Sequence, residues 1–192
     1  MGSMARWMMS VVLLASAGSL EGVAGGQPQS DPAVVRPDPR AILALEAGTW
    51  DAAITFPSQE EGVPARTARG VQVNELRSGG MWMLNRFSVE GTSYEGTGIW
   101  GADRTTGRFS GIWVDNNDAQ IRSDDGRWDP ETNTLTWTAD MAQPDGRHLR
   151  LLTTEVFRGD VREFRTVALT RRGEVPLVEI VFTRRRDEAG SD

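Results

Sequence analysis

From residue 49 onward, apolar and polar residues alternate in short segments that are separated by Gly, Asp and Asn. Alternation with a period of two is typical of strands with one buried face, and its recurrence at short, regular intervals predicts an all-β sandwich or barrel. No apolar pattern at helical spacing continues for three turns in this region. We predict ten strands, at Thr49–Phe56, Arg66–Arg77, Met81–Glu90, Ser93–Ala102, Arg108–Asn116, Gln120–Trp128, Thr134–Met141, Arg147–Arg158, Val161–Thr170 and Val175–Arg185.

The connections between these segments are short. The sequences Asp103–Gly107 and Asp129–Asn133 each begin with Asp and place Gly or Asn where a turn requires positive φ. Short links make successive strands antiparallel, and closing such a meander removes its exposed edges. We therefore predict an antiparallel up-and-down β-barrel of about eight to ten strands. Asp124–Gly126 resembles a turn, but we place it inside a strand, with a bend or bulge at Gly126.

The barrel domain is predicted to span residues 41–186, with a short N-terminal helix over Arg40–Ala47 that Pro39 precedes and Gly48 ends. Residues 25–40 contain four of the nine prolines, a density typical of an extended linker. Residues 187–192 form a short acidic tail.

The first 24 residues have the composition of a signal peptide. Arg6 is followed by an apolar run over Met8–Ala17, and small residues precede a cleavage site after Ala24, with a second candidate after Ala17. This run is too short to span a bilayer, which takes about 20 apolar residues. We expect a chain that is exported to the periplasm or secreted, without a membrane span.

Composition excludes several classes of protein. The 192-residue chain has no Cys and one His, which excludes a disulfide scaffold, a Cys-ligated metal and a His-rich centre. All 21 basic residues are Arg, and 27 acidic residues give a net charge of −6, which argues against nucleic acid as a partner. We expect no metal and no cofactor. His148 follows a hairpin turn, where exposure is expected rather than haem ligation. Nothing in the sequence indicates an oligomeric state.

Five of the seven Trp residues follow a Gly by two positions, at Trp50, Trp82, Trp100, Trp113 and Trp128. Residues i and i+2 share a face of a strand, so each Gly is expected to leave bare backbone beside its indole. The spacing favours a curved barrel whose interior the indoles fill, with a few of them free to line a binding cavity.

Two sequence features resemble the lipocalin-type, or calycin, barrels. A short helix precedes Gly48-Thr49-Trp50 on the first strand, and Arg184 closes the last strand. The resemblance implies that Trp50 plugs the closed end and that Arg184 packs over it. The wider pattern over roughly residues 43–186, which includes GRFSGIWVD and GRWDPETNTLTWTADM, resembles an uncharacterised bacterial family of calycin-like domains of unknown function. This family implies a fold and an exported setting but no catalytic residues.

The alternation of each strand assigns candidate residues to the barrel interior. It places two carboxylates inward, Asp115 and Glu155, while the face of Arg162–Thr170 stays undecided. A buried carboxylate is normally paired or functional. For Asp115 the alternatives are a turn cap and a ligand contact; for Glu155 they are an ion pair with an interior Arg, a ligand anchor and a general acid–base with a raised pKa. The candidate ligand-binding residues are Met83, Phe87, Trp100, Trp113, Asp115, Trp137 and Glu155.

Three functions fit these residues. A barrel with Met and Trp along its inner faces predicts binding of a small apolar or amphipathic molecule. The first alternative is a cofactor-free isomerase, cyclase or hydrolase that uses Glu155 or Asp115. The second is a structural or partner-binding domain whose interior is filled by side chains.

Overall fold

The computed structural model describes residues 38–117, 119–143 and 146–186. One helix, α1 (Pro39–Glu46), precedes ten strands, and a single 3₁₀ turn lies at Ser78–Gly80. The strands are β1 (Gly48–Phe56), β2 (Arg66–Arg77), β3 (Trp82–Val89), β4 (Glu95–Asp103), β5 (Arg108–Asp115), β6 (Arg122–Asp129), β7 (Thr134–Ala142), β8 (His148–Arg158), β9 (Val161–Thr170) and β10 (Gly173–Arg184). All ten predicted strands are confirmed, with ends that differ by at most two residues.

The strands form one closed antiparallel barrel in which each strand pairs with its neighbours in the chain. Closure comes from β1 and β10, which pair from Trp50 opposite Arg184 to Thr55 opposite Glu179. The predicted up-and-down meander is therefore confirmed. A closed sheet leaves no unpaired edge that could template aggregation.

Helix α1 begins with a capped first turn. The Asp38 side chain accepts a hydrogen bond of 3.0 Å from the Arg40 backbone amide, and Pro39 occupies the first helical position, where its missing amide costs nothing. The helix predicted over Arg40–Ala47 is thus confirmed and begins one residue earlier, at Pro39, which was assigned to the linker. The buried Ile42 and Leu43 fix the helix against the barrel.

The two ends of the barrel differ. At the closed end, α1 packs with inward residues close to the hairpin turns, in a core that contains Leu43, Met83, Phe109, Leu135 and Phe157. At the open end, where β1, β3 and β5 finish, no helix lies across the barrel among the described residues. The predicted inward faces are confirmed, and on β9 the inward face is the one that carries Arg162 and Thr166.

The strand pairing corrects one expectation. Asp124–Gly126 lies inside β6 as predicted, but no bulge occurs there, because Gly126 pairs in regular register with Phe109 on β5 and Trp137 on β7. The register instead shifts between Pro176 and Val178 on β10, where Pro176 has no amide to donate to the ladder.

The packing of Gly against Trp also differs from expectation. A Cβ atom on Gly98 would lie 1.9 Å from the Trp100 ring, so this pair behaves as predicted. A Cβ on Gly111 would instead meet the same Trp100 ring at 2.3 Å, and a Cβ on Gly126 would meet Trp137 at 2.6 Å. In both cases the ring comes from the neighbouring strand. Glycine therefore makes room mostly for an indole across the strand pair rather than for the indole two residues later.

Candidate functional site

A cavity of about 820 Å³ occupies the barrel interior toward the open end. Its walls carry aromatic and aliphatic side chains, among them Phe87, Trp100 and Trp113. It reaches the surface at the open end, because the exposed residues Arg66 and Thr92 also line it. The volume lies in the range of small-molecule sites, about 300–1,000 Å³. A filled interior, one of the three alternatives, is therefore not what the structure contains.

Five of the seven candidate ligand-binding residues line this cavity. They are Phe87, Trp100, Trp113, Asp115 and Glu155. The other two, Met83 and Trp137, do not line it and lie in the closed-end core, since their positions along β3 and β7 bring them to the level of α1. The alternation along a strand predicts that a side chain points into the barrel, but it does not predict how far along the barrel axis the side chain lies.

Asp115 caps the turn after β5, which is one of its two predicted roles, and it also lines the cavity, where a ligand contact stays a prediction. Its Oδ1 accepts a hydrogen bond of 2.9 Å from the Asn117 backbone amide, which caps the turn after β5. Its Oδ2 accepts from Trp113 Nε1 at 3.0 Å and from the Tyr94 hydroxyl at 3.2 Å. Burial and the nearby Asp115 charge raise the pKa of Tyr94 to about 12, so the phenol stays a donor. Asp115 thereby orients two aromatic side chains of the cavity wall.

Arg162 on β9 lies at the centre of a buried polar group at the bottom of the cavity. Its Nη1 is 2.8 Å from Glu46 Oε2 and 3.1 Å from Glu155 Oε2, and its Nη2 donates to Gln72 Oε1. The guanidinium carbon lies 4.2 Å from the Phe182 ring centroid and 5.1 Å from that of Trp50. Only 1% of Arg162 is exposed.

The two carboxyl groups that contact Arg162 are both hard to ionise. Burial, followed by the charge of Glu155, raises the pKa of Glu46 to about 8. Burial also raises the pKa of Glu155, against the opposing effects of Arg162 and of the 2.8 Å hydrogen bond that Trp137 Nε1 donates to Glu155 Oε1. One guanidinium faces two carboxyls, so burial and the repulsion between the two carboxyls favour retention of a proton on the pair.

Asn side chains extend this network along β2 and β3. Asn85 Nδ2 donates to Asn74 Oδ1 at 2.6 Å, and Asn74 Nδ2 donates to the Glu46 carbonyl at 2.8 Å. Five members of the network line the cavity bottom, and we call them the floor: Glu46, Gln72, Asn85, Glu155 and Arg162. Three buried floor atoms have no hydrogen-bond partner in the described structure, namely Glu46 Oε1, Asn85 Oδ1 and Arg162 Nε.

Trp50 lies beneath the floor as a fully buried plug. Its Nε1 donates to the Glu46 carbonyl at 2.8 Å, which joins the plug to the end of α1. The Arg184 guanidinium carbon lies 4.1 Å from the Trp50 ring centroid, and Arg184 also donates to the carbonyls of Leu45 and Ala47. One Arg from the last strand thus satisfies carbonyls at the C-terminal end of α1 and covers the indole.

Four floor residues, Glu46, Gln72, Asn85 and Arg162, are absent from the candidates derived from sequence. Asn85 shares its strand face with Met83 and Phe87, so the same alternation could have found it. Glu46 carries a weaker signal, because a carboxylate in the last turn of a helix opposes the helix dipole and needs a partner elsewhere. Glu155 has the interior Arg partner that one of its alternatives requires.

The described residues contain no group of three or more His, Cys, Asp or Glu that is placed to hold a metal ion. His148 is exposed at the start of β8, far along that strand from Glu155. None of the helices in the described ranges is both long and apolar enough to cross a membrane.

Comparison with known proteins identifies the family. Residues 37–184 match the family described as "Protein of unknown function (DUF1579)". The chain belongs to the DUF1579 family. No curated protein matches the chain. Among solved structures, the barrel of this DUF1579 protein is similar to the crystal structure of Rv2717c from M. tuberculosis, with a TM-score of 0.60 and 10% identity over 78% of this chain and 99% of that one. At this identity the similarity shows the fold alone.

Proposed function

We propose that this DUF1579 domain is an exported binding protein that holds a small apolar or amphipathic molecule in its barrel. The observation that carries the proposal is the open cavity of about 820 Å³ with an aromatic wall and a polar floor. Such pockets bury most of a small ligand against apolar side chains and orient it with a few polar groups. Trp100 and Trp113, with ring centroids 6.1 Å apart, offer a broad face to a flat or chain-like molecule.

The resemblance to the calycin barrels supports the same proposal. The plug of Trp50 under Arg184, at the junction of α1 and β1, is the arrangement that resemblance to the lipocalin-type barrels implies. In barrels of this size the interior is wide enough for one small ligand when side chains leave it open. The export part of the proposal rests on residues 1–24, which lie outside the described residues, as do most of the linker and the acidic tail.

Native mass spectrometry of the exported protein tests ligand binding directly. We expect a co-purifying mass that is lost on denaturation. A second assay adds the uncharged apolar dye N-phenyl-1-naphthylamine, whose emission should rise on entering the cavity. Ala68 lines the cavity, so Ala68→Trp should block the dye, whereas Ala53→Trp on the exposed face of β1 should not. Equal dye binding by both variants would contradict the proposal.

N-terminal sequencing of protein secreted by an expression host tests export. Cleavage after Ala24 predicts a mature chain that begins at Gly25, and cleavage after Ala17 predicts one that begins at Gly18. A full-length chain that stays in the cytosol would contradict the export proposal and leave the cavity proposal intact.

A cofactor-free enzyme is the second candidate, and the raised pKa of the cavity carboxyls favours it. Both oxygens of Glu155 are already engaged, by Trp137 and Arg162, whereas Glu46 keeps Oε1 without a partner. Turnover of a co-purifying ligand would support this candidate. Unchanged turnover by both Glu155→Gln and Glu46→Gln would exclude these carboxyls as its acid–base groups.

A further inference from the structure

The floor contains polar atoms that its own network leaves without partners. Glu46, Asn85 and Arg162 are exposed by only 4%, 1% and 1%, yet Glu46 Oε1, Asn85 Oδ1 and Arg162 Nε have no hydrogen-bond partner in the described structure. More than nine in ten buried polar groups have one. All three residues line the same cavity, so the unmet hydrogen bonds belong to side chains that a bound molecule would contact at the cavity bottom.

We propose that the floor binds an uncharged headgroup that both donates and accepts hydrogen bonds, such as a hydroxyl or a primary carboxamide, while the aromatic wall takes the apolar remainder. This inference rests on the proposed function, because it names the class of ligand that the cavity holds.

The donors and acceptors of the floor define the complementary group. Arg162 Nε donates and therefore needs an acceptor from the ligand, while Asn85 Oδ1 accepts and needs a donor. Glu46 Oε1 accepts when the carboxyl is ionised and can donate when it is protonated, so it can pair with a group that offers both functions. A hydroxyl or a carboxamide supplies both. A carboxylate would leave Asn85 Oδ1 unsatisfied, and an ammonium group would leave Arg162 Nε unsatisfied and face a buried guanidinium. A buried polar group that a ligand leaves without a hydrogen bond weakens the binding of that ligand.

The charge of the surrounding groups points the same way. Arg162 contacts Glu46 and Glu155, and the neighbouring Arg122 on β6 pairs with Asp124 at 3.0 Å. These are two guanidiniums and three carboxyls, so one negative charge is in excess when all five are ionised. With one proton held on the Glu46–Glu155 pair the group is neutral. In neither state does it carry the free positive charge that would hold an anionic headgroup.

The side chains of the floor are also fixed before any ligand arrives. Arg162 is held by Gln72 and by both carboxyls, and Asn85 is held by Asn74. Phe182 and Trp50 pack on the faces of the guanidinium. Preorganised polar groups bind with little loss of side-chain entropy, which favours selectivity for one headgroup over another.

Three probes with the same eight-carbon tail test this inference: octanamide, octanoate and octylamine. Binding to the purified full chain is measured at pH 7 by isothermal titration calorimetry and by intrinsic tryptophan fluorescence, to which Trp100 and Trp113 in the cavity wall contribute. We expect octanamide to bind at least tenfold more tightly than either charged probe. Asn85→Ser shortens the side chain that carries Oδ1 and should reduce this preference to below threefold. Asp140→Asn, on the exposed face of β7, should leave it unchanged.

Octanoate affinity is also measured as a function of pH. A floor with a purely structural role would give no pH dependence of this affinity. Burial and the charge of Glu155 raise the pKa of Glu46 to about 8, so the floor beside Arg162 gains negative charge between pH 7 and pH 9. Octanoate should bind at least threefold more weakly at pH 9 than at pH 7. In Glu46→Gln, which keeps the shape but cannot ionise, this change should disappear.

The outcomes separate the two proposals. If no probe binds and none displaces the dye, the proposed function fails. If all three probes bind with equal affinity, or octanoate binds most tightly, the cavity binds ligands but the inference about the floor is wrong. If Asn85→Ser does not fold, the pH series with Glu46→Gln decides the matter, and an octanoate affinity that is independent of pH in the original chain overturns the inference.

Discussion

The closed and open ends of this barrel are built from the same ten strands with the same inward alternation, yet one end is filled and the other is empty. At the closed end Phe109, Leu135 and Phe157 meet α1, which adds Leu43 from outside the sheet. At the open end Phe56, Tyr94 and Val178 stay against the wall and leave the axis free. The difference shows that alternation decides which side chains face inward, while an element beyond the sheet decides whether the interior is filled.

The buried polar floor separates the two ends. It holds Arg162 above Trp50 and below the cavity, so a charged layer divides an apolar core from an apolar pocket. Removing one partner from a buried ion pair is strongly destabilising, even where the intact pair contributes little. The contrast therefore predicts where substitutions will damage the fold and where they will alter only the cavity.

The largest loss is expected for Trp50→Ala, at about 3–5 kcal/mol, because a fully buried indole and its hydrogen bond to Glu46 are removed. Urea unfolding followed by circular dichroism measures it. Trp82→Ala is the matched control on the outer face of β3, where the indole is 47% exposed, and it should cost less than half as much. Equal midpoints for Trp50→Ala and the unmodified chain would show that the plug is not structural.

Arg162→Met should also destabilise the domain by about 3–5 kcal/mol, since it leaves Glu46 and Glu155 buried without their cation. Arg165 lies on the same strand with its side chain exposed, so Arg165→Met should cost about 1 kcal/mol or less. The comparison uses the same denaturation assay. A shift for Arg162→Met no larger than that of its control would contradict the role of the floor.

Substituting one glycine by alanine at each end of the barrel compares how the two ends tolerate an added methyl group. A Cβ on Gly126 would press on Trp137 and on Phe109 Cβ at 2.9 Å, in the filled core, so Gly126→Ala should cost about 1–3 kcal/mol. A Cβ on Gly96 would press on Trp113, which can turn into the cavity, so Gly96→Ala should cost less. Thermal unfolding measures both. A larger loss at Gly96 would show that the cavity wall is as rigid as the core.

The most gradual expected effect is a pH dependence of stability. The Glu46 pKa rises from 4.5 in the unfolded chain to about 8 in the fold, so between these values the native state binds more protons than the unfolded state. The free energy of unfolding must then fall as pH rises, by at most about 1.4 kcal/mol per pH unit for one proton. Its contribution is complete below pH 4.5. Urea midpoints from pH 5.5 to 7.5 should decrease, and Glu46→Gln should flatten that slope.

The strands and the closed meander could be predicted from sequence because turn residues and alternation are local signals. Asp103 and Asp129 are the first residues of two predicted turns. Each carboxylate accepts hydrogen bonds from the turn backbone and from a Thr hydroxyl, so the turn can be predicted from a few adjacent residues. Part of the candidate site was predictable in the same way. Asp115 on β5 and Glu155 on β8 are each found from the alternation of inward and outward residues along their own strand.

The floor was not predictable in the same way, because it joins residues far apart in the chain. Arg162 contacts Glu46 across 116 positions and Gln72 across 90. Its own strand gives no clear alternation, since Val167 is buried beside Thr166 and Ala168. The alternation along β3 and β7 also could not predict that Met83 and Trp137 lie in the closed-end core rather than in the cavity wall. Their position along the barrel axis matters only because α1 packs at that end.

The pairing of β1 with β10 has a practical consequence for protein engineering. Asp38 at the start of the described domain and Arg184 at the end of β10 both lie at the plugged end, since α1 and Arg184 meet at Leu45 and Ala47. A reporter protein or surface tether joined at either terminus of the domain would attach on the side away from the cavity mouth. The barrel could therefore be immobilised through either terminus as a sensor whose opening still faces the solution.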